Sequence, residues 1–83
     1  MVSPLYALRD EVAQVFYPPF IDRNDDSARR SFADAVQSGK VPHARDYGLY
    51  RVGTYDDHVG HIVPAEPVSL IIYGNDIEVS DGK

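Results

Sequence analysis

Between Asp25 and Gly39 the apolar residues Ala28, Phe32, Ala35 and Val36 recur at offsets of four, seven and eight. That spacing predicts one amphipathic helix, with a single apolar stripe facing a core. Its ends are marked in the same sequence. Asn24 or Asp25 can accept a hydrogen bond from the first free backbone amides, and Asp25 and Asp26 complement the positive end of the helix dipole. Gly39 is suited to a left-handed stop, and Lys40 places positive charge by the last carbonyls. Arg29 and Arg30 lie off the stripe, where Arg30 is four residues from both Asp26 and Asp34.

The remaining apolar segments have the length and composition of strands. Leu5–Arg9 and Gln14–Tyr17, separated by Asp10-Glu11-Val12-Ala13, predict a hairpin. Pro18-Pro19 removes two backbone donors, so Phe20-Ile21 is expected either extended at a sheet edge or packed as a plug. In Tyr47–Tyr55, Leu49 falls on one face and Tyr50 and Val52 on the other, as in a central strand covered in part on both sides. Asp56-Asp57-His58-Val59-Gly60 then reads as a turn into a returning strand at His61-Ile62-Val63, which makes a second hairpin. Pro64 and Pro67 are expected to bracket a linker before the apolar strand Val68–Tyr73. Gly74-Asn75-Asp76 either turns the chain back onto Ile77-Glu78-Val79 or forms a helical turn. The pattern predicts an α+β fold of order ββαββ over residues 1–66. A C-terminal strand or arm at 67–83 belongs to the same single domain, and the helix lies across a small antiparallel sheet.

A chain of 83 residues buries only somewhat more than ~60% of the surface that it exposes when unfolded. The core is therefore thin, and a deep enzyme cleft is not expected. With no cysteine there is neither a disulfide to staple the fold nor a thiolate for a metal, and packing as a homodimer is the natural remedy. Hydrophobic residues at 43% and charged residues at 25% are ordinary for a folded domain. A formal net charge of -5, with the eight basic residues scattered, argues against coating of nucleic acid by phosphate neutralisation and favours protein partners. No apolar run approaches the ~20 residues of a membrane span, so the expected location is the cytoplasm of the cell or host.

Candidate chemistry is sparse. His58-x-x-His61 beside Asp56 and Asp57 clusters ligand-type residues, but a strand or turn does not put both imidazoles on one face as a helix would, so no metal is expected. No Gly-x-Ser-x-Gly elbow accompanies the serines, and the Asp56-Asp57 pair belongs to an exposed turn. No cofactor and no enzymatic activity are expected. The six tyrosines and three phenylalanines have two readings. Tyr6, Phe16, Phe20, Phe32, Tyr47 and Tyr50 can supply the core of a protein without tryptophan, or exposed rings can stack the bases of single-stranded nucleic acid.

The order of these features resembles the small nonstructural protein of gokushovirus-type Microviridae, tailless phages with circular single-stranded DNA. Three segments carry the resemblance: LYALRDEVAQVFYPPF (Leu5 to Phe20), SARRSFADAV (Ser27 to Val36) and DYGLYRVGTYDDHVG (Asp46 to Gly60). The resemblance implies a nonstructural protein of the host bacterial cytoplasm, absent from the capsid, with a proposed role in the switch from double-stranded replicative form to single-stranded genomes. It supplies no catalytic residue. Three modes of action stay open. The first is a noncatalytic regulator that binds a phage or host replication protein through Asp56, Asp57 and His58. The second is a module for single-stranded DNA, with Tyr17, Tyr50 and Tyr55 on bases and Arg9 and Arg51 on phosphates. The third is inhibition of a host protein by mimicry of an acidic surface.

Overall fold

The computed structural model describes residues 1–77. The helix, α1 (Asp25–Gln37), forms where the stripe places it and buries Ala28, Phe32 and Val36. Asn24 is its N-cap, accepting a hydrogen bond from the Ser27 amide at 2.8 Å. At the other end the Gly39 amide donates to Val36 and the Lys40 amide to Ala35, with Gly39 at φ +79°. That pair of bonds is a Schellman stop, which satisfies carbonyls the helix would otherwise leave open. Asp26 pairs with Arg29 at 3.1 Å, three residues on, in place of the expected contact with Arg30 four residues on.

Five strands form one antiparallel sheet: β1 (Val2–Asp10), β2 (Val15–Phe16), β3 (Phe20–Ile21), β4 (Tyr47–Asp56) and β5 (His61–Tyr73). The spatial order is β2-β1-β4-β5, and β3 also pairs with β1, opposite Leu5 and Tyr6. Helix α1 covers one face. There Tyr6 and Leu49 meet Ala28, Phe32 and Val36, with Leu8, Val41, Ala44, Tyr47, Ile71, Ile72 and Ile77 packed around them. Burying side chains of the size of Phe32 or Leu49 contributes about 1.5–3 kcal/mol each. Among the described residues, this core takes nothing from the stretch between Gly53 and Glu66. The far half of the β4–β5 ribbon therefore projects past the helix, and the molecule measures 48 × 24 × 17 Å.

The α+β class, the helix, both hairpins and the edge position of Phe20-Ile21 agree with the sequence reading. Other details differ. The second strand of the first hairpin shortens to Val15–Phe16, because Pro18 and Pro19 follow at once, and β3 is an added short strand. Pro64 and Pro67 do not bracket a separate linker; both lie within β5. The interruption survives as a bulge, since Pro64 opposes Gly53 and Ser69 opposes Arg51, leaving 65–68 unmatched across from Val52. Proline is tolerated here because β5 is an edge strand whose outer amides have no sheet partner. Phe16 and Phe20, read as possible core, are exposed, and Tyr47 and Tyr50 are half-buried. After β5 the chain makes a 3-10 turn at Gly74–Asp76, the helical alternative at that position. Ile77 packs on the core, and the rest of the expected return strand lies outside the described residues.

Gly74 is buried where the 3-10 turn meets the Ala44–Asp46 turn. A Cβ there would fall 1.9 Å from the Ala44 carbonyl oxygen, a backbone atom that no rotamer change can move. Gly74→Ala is expected to destabilise the fold by about 1–3 kcal/mol, as overpacking of a fixed contact does. Urea denaturation should show a lower midpoint at unchanged slope.

Candidate interaction surfaces

The tip of the β4–β5 ribbon holds the acidic turn. Its return is set by Gly60, at φ +71°, whose amide donates to the Asp56 carbonyl at 2.8 Å. The His58 amide donates to Asp56 Oδ1 at 3.0 Å, and His58 Nδ1 lies 3.3 Å from Asp57 Oδ1. The start of β1 joins them: the Met1 amine donates to Asp57 Oδ1 at 2.7 Å and lies 2.9 Å from His58 Nδ1. Its hydrogen bond holds the Asp57 carboxyl below the usual carboxylate range, against a smaller opposing effect of burial. Asp56, Asp57 and His58 thus bring ligand-type atoms within 4.8 Å of one another, in a solvated turn. Around this charge the tip exposes apolar side chains, namely Val2, Val59, Ile62 and Val63, with Ile62 66% exposed.

The second surface is the sheet face turned away from α1. Tyr6 and Leu8 point towards the helix, so strand alternation turns Ala7 and Arg9 to the opposite face, with Tyr50 across from Ala7. Phe16 packs edge-on against Tyr50 with ring centroids 5.4 Å apart, and the Arg9 guanidinium lies 5.6 Å from the Phe16 ring centre. Glu11 ties this group together: it pairs with Arg9 and accepts a hydrogen bond from the Tyr50 hydroxyl at 2.6 Å. Beside it, Ala7, Phe16, Tyr17, Pro19, Val52 and Val68 line a shallow groove of about 250 Å³.

The structure brings Asp56, Asp57 and His58 together but divides the other candidate set. Arg9 and Tyr50 share the open face. Arg51, next in sequence to Tyr50, points to the helix side, where it lies 3.5 Å from Asp25. Tyr17 stands at the groove's edge, its ring perpendicular to that of Tyr47 and the two hydroxyls 2.8 Å apart. Tyr55 belongs to the projecting ribbon, opposite Ser3 and Ile62. The sequence leaves two readings for Val68–Tyr73, an exposed edge strand that pairs with a twin subunit or simply the last strand of the sheet. Val68, Leu70 and Tyr73 are exposed, and so is Phe16, read as possible core. The run Val68–Tyr73 gave one usable signal, an uncharged apolar segment at a sheet edge.

The arrangement defines a small α+β domain in which one helix covers one face of a curled antiparallel sheet, leaving an acidic ribbon tip and an apolar face on the surface. The chain belongs to the Phage ORF5 protein family, whose model matches residues 3–77. Comparison with curated proteins and with solved structures gives no match. Among the described residues no helix is long and apolar enough to cross a membrane.

Three phenols tie ionisation to the fold. Burial, then donation to Asp25, holds the Tyr6 hydroxyl far above the ordinary tyrosine range. Burial and donation to Glu11 do the same for Tyr50, and the bond with Tyr17 pushes Tyr47 up to about 12. A phenol whose pKa is higher folded than unfolded adds stability that is complete below the unfolded value of about 10 and is lost as pH rises through the folded value. The part of the stability that these phenols supply is therefore expected to be level up to about pH 10 and to fall above it. In an alkaline titration followed by phenolate absorbance, these three tyrosines should ionise only above the ordinary tyrosine range, or together with unfolding.

Proposed function

We propose that this phage protein is a noncatalytic regulator of viral DNA replication that works by binding another protein through the tip of the β4–β5 ribbon. The observation that carries the reading is the tip itself. Asp56, Asp57 and His58 stand at the end of a projecting ribbon among exposed Val59, Ile62 and Val63. Exposed apolar side chains that the fold does not use, bordered by charged groups, are characteristic of a protein-binding surface. Membership of the Phage ORF5 protein family agrees with a nonstructural role. The resemblance to the gokushovirus protein supplies the finer assignment, a switch from replicative form to single-stranded genomes in the host cytoplasm. Mimicry of an acidic host surface would use the same tip.

A second reading, binding of single-stranded DNA, draws on the rings of Phe16, Tyr50 and Tyr73 on the open face. It is the weaker one because Arg9, the cation beside them, is already paired with Glu11.

Asp57→Lys is expected to keep the fold, since its ion pair with the Met1 amine is exposed and such pairs contribute little. In a phage carrying Asp57→Lys or Ile62→Asp, the proportion of single-stranded genome to replicative form should fall several-fold, with the variant protein still folded by circular dichroism. An unchanged proportion in both variants would exclude the tip. Fluorescence anisotropy with labelled poly-dT at low and moderate salt separates the second reading: tight binding that collapses with salt would favour it.

A further inference from the structure

The open sheet face carries an inference independent of the ribbon tip. Phe16, Tyr17, Val68, Leu70 and Tyr73 are each between 40% and 45% exposed and lie in or beside the groove. The fold itself buries only seven hydrophobic residues, among the described ones, while leaving these large side chains half in water. At up to about 200 Å² per side chain, the five leave at most roughly 400 Å² of surface, most of it apolar, on one chain. A standard interface covers ~800 Å² per partner, about 56–65% of it apolar, or roughly 450–520 Å². The exposed apolar area therefore comes close to what one partner contributes to a stable complex.

Charge selects the occupant. The chain carries a formal net charge of -5, so two copies repel each other across most approaches. The charges identified on this face are Arg9 and Glu11, which neutralise one another, and the six residues lining the groove are uncharged. Like chains can meet here without opposing like charges, whereas an anionic ligand finds Arg9 already paired with Glu11. Across a twofold axis, Arg9 of one copy can also exchange partners with Glu11 of the other, the reciprocity that an isologous contact requires. A second copy is, moreover, present wherever the chain is made. We propose that the sheet face opposite α1 is a homodimer interface, in which two copies pack groove to groove about a twofold axis and leave both ribbon tips free.

Light scattering on the full chain at micromolar concentration is expected to give twice the 9.3 kDa chain mass, and a single-chain mass would overturn the proposal. Val68→Asp puts an unpaired carboxylate into both halves of the contact and should raise the dissociation constant by more than ~100-fold. Helical circular dichroism should be retained, and a folded Val68→Asp protein that stayed dimeric would overturn the assignment. The chain has no cysteine, so single cysteines give an independent readout should Val68→Asp fail to fold. Val68→Cys should link to its twin with a short bismaleimide, and Arg30→Cys on the outer helix face should not. Linking at Arg30→Cys without linking at Val68→Cys would place the contact elsewhere and refute the proposal.

Discussion

The fold depends on how Tyr6 joins the sheet to the helix. Tyr6 is fully buried in the middle of β1, against Phe32 and Leu49, while its hydroxyl reaches the first residue of α1 and donates to Asp25 Oδ1 at 2.6 Å. Asp25 also faces Arg51 on β4 at 3.5 Å. One phenol therefore supplies apolar burial in the core and a directed bond at its rim, and a buried hydroxyl without such a partner would cost stability. The stripe of Ala28, Phe32 and Val36 determines which side of the helix faces the sheet. The Tyr6–Asp25–Arg51 contact sets where along the sheet the helix begins.

That placement leaves much of the molecule without cover. A helix of 13 residues is about 20 Å long at 1.5 Å per residue, much shorter than the 48 Å length of the protein. It shields one face near Tyr6 and Leu49 and leaves the other face and the distal ribbon to solvent. The apolar groove and the acidic tip are thus two results of one economy: a small chain builds a single one-sided core and places its remaining apolar residues where other molecules can reach them. Glu11 orders the open face in a similar way, holding Arg9 by charge and Tyr50 by its hydroxyl.

The parts legible in the sequence are those fixed by local chemistry. The stripe, the Asn24 cap and the Gly39 stop each act within one or two turns, and all three hold in the structure. The sidedness of the aromatics was harder to read, because a shift of one residue in register exchanges the faces of a strand. Phe16 faces outward because it pairs with Arg9 rather than with Leu8, a long-range choice that composition does not express. The bulge opposite Val52 is similar: Pro64 and Pro67 announced an interruption, but only pairing with β4 decides that the strand resumes. For the candidate sites, the acidic turn was readable as a contiguous run. The grouping of Tyr50 with Arg51 was not sound in one respect, since neighbours on a strand point to opposite faces.

The most direct test of this account is a double-mutant cycle between Tyr6→Phe and Asp25→Ala, read as unfolding free energy in urea. If the phenol and the carboxylate hold the helix to the sheet, the two losses will not add, and the coupling will be about 1 kcal/mol or more. Strictly additive losses would mean that the helix is placed by its apolar stripe alone and that the Tyr6–Asp25 bond is incidental to the fold.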